Sequence, residues 1–220
     1  MRCFYIEELK YLKDNDYIIY NKLNYIDELF IDFINEEAYL TPFKFLDMME
    51  NIFNNKNINY VIDSTSVIST YLINIKDLEY FYLFLRKLLL KGFVNKIIYK
   101  NEFIIIHYNN LFIKNSLCLN NSWTILLIYN IFKELNLDVD CYLYSLFKNN
   151  TKEEVLDLLF IKDDNYIVFS SFSDINIASY IKVYNVLIYY PLKEIKNEVF
   201  LFSFNKIFIK KKLINIFNNI

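Results

Sequence analysis

Glycine is all but missing from this chain: Gly92 stands alone in 220 residues. Loops that cradle phosphates need several glycines, because backbone must approach the ligand closely or adopt positive φ. A P-loop, a dinucleotide fingerprint and a kinase Gly-rich loop are therefore excluded as standard motifs. A standard S-adenosylmethionine loop fails on the same steric ground. Histidine is equally scarce. His107, the single one, lies in a β-branched run at 103–108 and reads as a structural strand residue, with no spacing that builds a triad or a general base around it. Three cysteines, Cys3, Cys118 and Cys141, are too few and too far apart for a disulfide framework or a zinc set, and suit a reducing compartment. Only two arginines occur, Arg2 and Arg86. No apolar run reaches the roughly 18 residues of a membrane span, and the densest stretch, 123–132, reads as a buried helix. The first twelve residues already carry Glu7, Glu8 and Lys10, so no secretory signal is expected.

Hydrophobic and aromatic side chains are what the chain does have, at 55% and 19%. That is too apolar for disorder and enough for one good core or two small ones. The net charge of −2 gives no global reason to bind nucleic acid. Charge is uneven, however. Residues 27–50 are acidic, while Lys206, Lys210, Lys211 and Lys212 form a basic tail interleaved with Phe204 and Phe208. That tail reads either as a solvated edge or as a phosphate contact.

Periodicity and turn chemistry divide the chain into elements. Residues 13–16 read as a turn into a strand at 17–20, within a small N-terminal β-containing module over 1–40. Thr41-Pro42 opens a helix over 42–54, with a capping Thr and Pro at the first helical position. A strand follows at 58–62, then a helix at 67–73 and another at 77–90 closed by Gly92. Strands are expected at 96–99 and 103–108, a loop at 109–121 and a helix at 122–135. Beyond it come a strand at 138–144, a helix at 151–160 opened by a Thr151/Glu154 capping box, and a strand at 166–170. A helix capped by Ser173-Asp174 runs to 182, a strand at 186–190 stops at Pro191, and strands at 198–204 and 206–209 end the chain.

Continuous apolar strands alternating with helices predict an α/β, Rossmann-like fold over 41–220: a mainly parallel sheet covered on both faces. Ligands in such sheets bind at the carboxyl ends of strands. Those ends here carry 63–66 (Asp-Ser-Thr-Ser) and Ser170-Ser171. Asp63, Asp163, Asp164 and Asp174 fall near strand ends, where carboxylates serve commonly as caps and loop residues, so none is given a chemical role. No catalytic, cofactor-binding or metal-ligating residue is assigned.

Four stretches resemble a known family. Residues 12–20 resemble the opening "NDYVI" strand of the non-catalytic subunit of the tRNA (adenine-58) 1-methyladenosine methyltransferase. Residues 45–50 and 59–68 look like its helix and first Rossmann strand, with Ser66 and Val67 where that family has glycines. Residues 96–99 lie where another sheet strand is expected. Residues 163–171 and 184–194 resemble its strand–helix–strand that ends in Tyr-Pro and Lys-Glu. The resemblance implies a methyltransferase-type fold without a cofactor loop, and a non-catalytic scaffold and tRNA-binding subunit in the nucleus. A catalytic partner subunit would carry the S-adenosylmethionine, and Lys206, Lys210, Lys211 and Lys212 would be RNA contacts chosen by local charge. Residues 122–194 also look like a degenerate second RecA-like lobe of a superfamily 2 helicase. A lineage-specific interaction protein is the third reading.

Overall fold

A computed structural model describes residues 7–53, 59–61, 66–70, 78–100, 103–119, 121–171, 177–187 and 198–219. In chain order the elements are β1 (Glu7–Tyr11), β2 (Tyr17–Asn21), α1 (Tyr25–Leu40), α2 (Pro42–Met48) with a π-helical turn (Met49–Phe53), β3 (Asn59–Val61), β4 (Ser66–Thr70) and α3 (Leu78–Leu90). They continue with β5 (Val94–Tyr99), β6 (Phe103–Tyr108), α4 (Leu111–Cys118), α5 (Ser122–Lys133), β7 (Asp140–Lys148), β8 (Glu153–Lys162), β9 (Asn165–Ser170), β10 (Ile181–Leu187), β11 (Glu198–Leu201) and α6 (Lys206–Asn218). No helix among the described residues is long and apolar enough to cross a membrane. The chain divides into two compact units, one built on Asn24–Trp123 and one on Phe4–Leu23 with Thr124–Ile220.

The first unit is helical with a small antiparallel sheet, ordered β3-β4-β6-β5. Asn24 opens α1 with a capping box: its side chain accepts from the Asp27 N–H at 2.9 Å, and Asp27 accepts the Asn24 N–H in return. Asp27 also accepts from Asn110 Nδ2 at 2.8 Å, and Asn110 in turn caps α4 by accepting the Ile113 N–H at 2.9 Å. One buried pair thus satisfies the starts of two helices. Gly92 ends α3 at φ +75, as its place after an apolar helix predicted. The core is aromatic, with Phe84 near Phe33, Phe45 and Phe53, and Trp123 edge-on to Phe45 at 5.2 Å.

The second unit is a seven-stranded sheet in the order β1-β2-β7-β8-β9-β10-β11. The pairs from β1 to β9 are antiparallel, and only β9–β10 and β10–β11 are parallel. The expectation of a mainly parallel, Rossmann-like sheet is therefore wrong. The chain folds back in tight hairpins at β1–β2, β7–β8 and β8–β9, where helix-connected parallel strands would need long crossovers. The decisive element is β8. Asn149 accepts from the Thr151 N–H, the Thr151 hydroxyl and the Lys152 N–H, at 2.9, 3.1 and 2.8 Å. This turn takes up Thr151, the expected helix cap, and residues 153–162 run out as a strand between β7 and β9. The apolar run of 155–161 fits a strand covered on both faces as well as a helix.

Other elements also differ from expectation. Residues 66–70 are strand β4, not helix, and pair with β3 and β6. Residues 111–118 are helix α4, not loop, because Asn110 caps it and Phe112, Ile113 and Leu117 turn inward. Residues 206–209 open helix α6 rather than forming a strand, with Ile209, Leu213 and Phe217 buried at four-residue intervals. The described part of the helix expected before residue 182 is a turn followed by β10. Asp63, Ser173 and Asp174 lie outside the described residues.

Candidate functional site

Along β9 and β10 the parallel register pairs Tyr166 with Ile181, Val168 with Val183, and Ser170 with Asn185. Successive partners two residues apart share a face. The face therefore begins apolar and turns polar at the carboxyl ends of the two strands. Its apolar part joins a core of Ile18, Phe147, Leu156 and Leu159. The polar rung is itself buried: Ser170 is 0% exposed and Asn185 3%.

On the other side of β9, Asp157 of β8 reaches the same strand end and is 2% exposed. One of its oxygens accepts from the Ser171 N–H at 2.7 Å, the Ser171 hydroxyl at 2.7 Å and the Ser170 hydroxyl at 3.4 Å. Burial pushes the Asp157 carboxyl above its usual range, and those three donors pull against the rise. The carboxylate thereby pins the end of β9.

Asn185 is different. Neither its amide nitrogen nor its amide oxygen finds a hydrogen-bond partner among the described residues. Leaving a buried polar group unmade costs about 1–3 kcal/mol. Near this end of the sheet β7 carries a second irregularity. Tyr144 sits at φ +52 in mid-strand, which a bulky residue avoids. Tyr142 and Phe147 are five residues apart, which strict alternation would place on opposite faces, yet both join the same core cluster. The left-handed residue between them shifts the strand's phase, while the pairing with β8 keeps one register from Leu143 opposite Leu158 to Ser145 opposite Leu156. Next to it the Ser145 hydroxyl is also buried without a described partner.

The expected RNA-contact lysines sit on α6. Lys206 and Lys210 both reach Glu134, at 3.2 and 2.8 Å. Lys210 pulls the Glu134 carboxyl below its ordinary value, burial pushes the other way, and Lys206 adds to the lowering. Lys212 lies over the rings of Phe208 and Phe200, at 4.6 and 5.4 Å, and burial lowers its ammonium. Lys211 is exposed. The fold gathers the first two lysines on one carboxylate and turns the third onto aromatic rings.

Elsewhere, burial pushes the Cys118 thiol up to about 11 and the Cys141 thiol well above its ordinary value, so both stay protonated at neutral pH. His107 is half-buried on β6, opposite Ser66 and Lys96. Asp163 and Asp164 form the turn between β8 and β9. Among the described residues no three His, Cys, Asp or Glu side chains converge as a metal set would. The sequence points to Ser170-Ser171 as a strand end, but not to Asp157 or Asn185. Their signal was a single polar residue inside an apolar run, Asp157 in 155–161 and Asn185 in 183–187.

No protein-family model matches the sequence, and no curated protein does. Solved structures do. Protein VC1899 from Vibrio cholerae superposes with a TM-score of 0.51 at 11% identity, covering 91% of this chain and 59% of that one. Can2 from Sulfobacillus thermosulfidooxidans, solved in complex with cyclic tetra-adenylate, gives a TM-score of 0.44 at 12% identity, with 90% and 57% covered. The chain thus shares its fold with the Vibrio protein and spans about three fifths of that protein's length.

Proposed function

We propose that this chain is a non-catalytic binding subunit that takes a nucleobase edge, of a nucleotide or of an RNA, at the carboxyl ends of β9 and β10. The observation that carries this reading is the Asn185 amide, buried beside Ser170 and without a partner among the described residues. A carboxamide offers a donor and an acceptor side by side, which matches the paired donor and acceptor on the edge of an adenine. Ser170, Ser171 and Asp157 satisfy one another, so they hold the strand end while Asn185 supplies recognition. A buried polar group with no partner among the described residues is the kind of local conflict that a binding site retains.

The resemblance to the tRNA methyltransferase subunit contributes the proposed source of that base, namely tRNA presented with a catalytic partner. It no longer contributes a fold, because its methyltransferase-type parallel sheet is replaced by the antiparallel pairings. The helicase-like reading fares worse, since the helix it places at 151–160 is strand β8. Of the α6 lysines, Lys211 is the exposed one, and in this proposal it supplies the phosphate contact.

The test is an NMR titration of the full chain with each of the four nucleoside monophosphates, following the Asn185 side-chain amide. That signal is assigned by its loss in Asn185→Leu. A purine monophosphate is expected to shift it, and Asn185→Leu should abolish binding while raising stability by about 1–3 kcal/mol, because the unmet amide is gone. An amide signal indifferent to every nucleotide at millimolar concentration ends the proposal, as does a variant that binds as well as the parent.

A further inference from the structure

The inner face of α3 buries Tyr80, Phe81, Phe84, Leu85 and Leu88. Its other face is unusually apolar for one turned to solvent: Leu78, Tyr82, Leu83, Leu89 and Leu90 are all exposed, Leu90 at 75%. Tyr99 on β5, itself exposed, places its ring 5.9 Å from Tyr82 and widens the patch. Soluble chains rarely leave so continuous an apolar stripe to water without a use for it.

Two charges punctuate the stripe, Glu79 and Arg86, both exposed. No described residue forms an ion pair with either. They stand seven residues apart, two turns or about 10.5 Å along the axis, and so lie on nearly the same line of the helix. This spacing is self-complementary. If a second α3 is laid antiparallel across a two-fold axis passing between residues 82 and 83, Glu79 of each copy meets Arg86 of the other. Tyr82 then meets Leu83 at the centre. A partner of unrelated sequence would have to reproduce this reversed charge order; a second copy has it already.

We infer that the exposed face of α3 is a two-fold contact between two copies of this chain, closed by reciprocal Glu79–Arg86 pairs around Tyr82 and Leu83. The inference is independent of the ligand proposed above. One helix face is small against the roughly 1,200–2,000 Å² of a stable interface, so the dimer is weak and concentration-dependent. Isologous closure also limits assembly at two copies.

Sedimentation velocity on the full chain, over a hundredfold range of concentration, reads the contact. The parent is expected to pass from monomer to dimer. Glu79→Arg and Arg86→Glu each place like charges opposite one another twice, and each should weaken association at least tenfold. The double variant Glu79→Arg/Arg86→Glu restores opposite pairs and should recover most of the loss, whereas Leu83→Glu should abolish association with both charges intact. All three positions are exposed, so the variants fold, which circular dichroism checks. A parent that stays monomeric at the highest concentration overturns the inference. So does a double variant no better than the single ones, because it would mean that the charges do not face each other.

Discussion

Asp157 shows how much one buried carboxylate decides. Its oxygen accepts the Ser171 N–H and hydroxyl, both at 2.7 Å, and so fixes where β9 ends. Its pKa in the folded chain is raised by burial. A group that binds its proton more tightly when folded contributes stability at low pH, and that contribution is lost as pH rises through the folded value. Asp157→Asn keeps an acceptor for Ser171 and removes the charge. Urea unfolding from pH 3 to pH 7 should therefore show the parent losing stability relative to this variant with rising pH, while Asp157→Ala costs about 1–3 kcal/mol by stranding the Ser171 donor. A parent-to-Asn difference independent of pH would show that the carboxyl is not proton-linked to folding. The sequence shows Asp157 only as a charge inside an apolar run. Which donors face it depends on β9 lying alongside, a contact that local pattern does not carry.

At the scale of elements, short-range turn chemistry was legible and the type of an apolar run was not. The turn at 13–16 forms as expected: the Leu12 N–H donates to the Asp16 carbonyl at 2.8 Å, with Asp14 and Asn15 at positive φ. The β8–β9 turn follows the same logic. Lys162 pairs with Asn165 across two central residues, Asp163 at φ +46 and Asp164 at φ +61, the pattern of a two-residue hairpin. Glycine is the better second residue there, because a side chain at positive φ costs about 1–2 kcal/mol. The flexibility that glycine adds to the unfolded chain offsets part of that gain. Asp164→Gly should raise stability by roughly 0.5 kcal/mol, seen as a higher urea midpoint with unchanged slope; a lower midpoint would mean that the aspartate makes a contact worth more than its strain. Helices α4 and α6 escaped local reading for a simple reason. Asn110 and Asn205 act as N-caps through 2.9 and 3.1 Å bonds, but asparagine is so common in this chain that no single one stands out as a signal.

The sheet of the second unit sets out which backbone is held and which is open. Strands β8 and β9 are paired on both sides, whereas β1 and β11 are paired on one side only among the described residues. Amide exchange should be slowest at Leu158, Leu159, Phe160 and Val168 and at least tenfold faster along β1 and β11, read by hydrogen exchange on the native chain; uniform protection across the sheet would contradict the strand order. From sequence alone came the apolar content needed for a core, the absence of glycine-rich phosphate loops, the Gly92 helix stop and the positions of most strands. Each follows from composition or from backbone conformations that neighbouring residues impose. Strand direction, the conversion of 151–160 from helix to strand and the meeting of Asp157, Ser170 and Asn185 were decided only in three dimensions. A run buried on both faces has no period to read, and a strand's partners lie outside any local window.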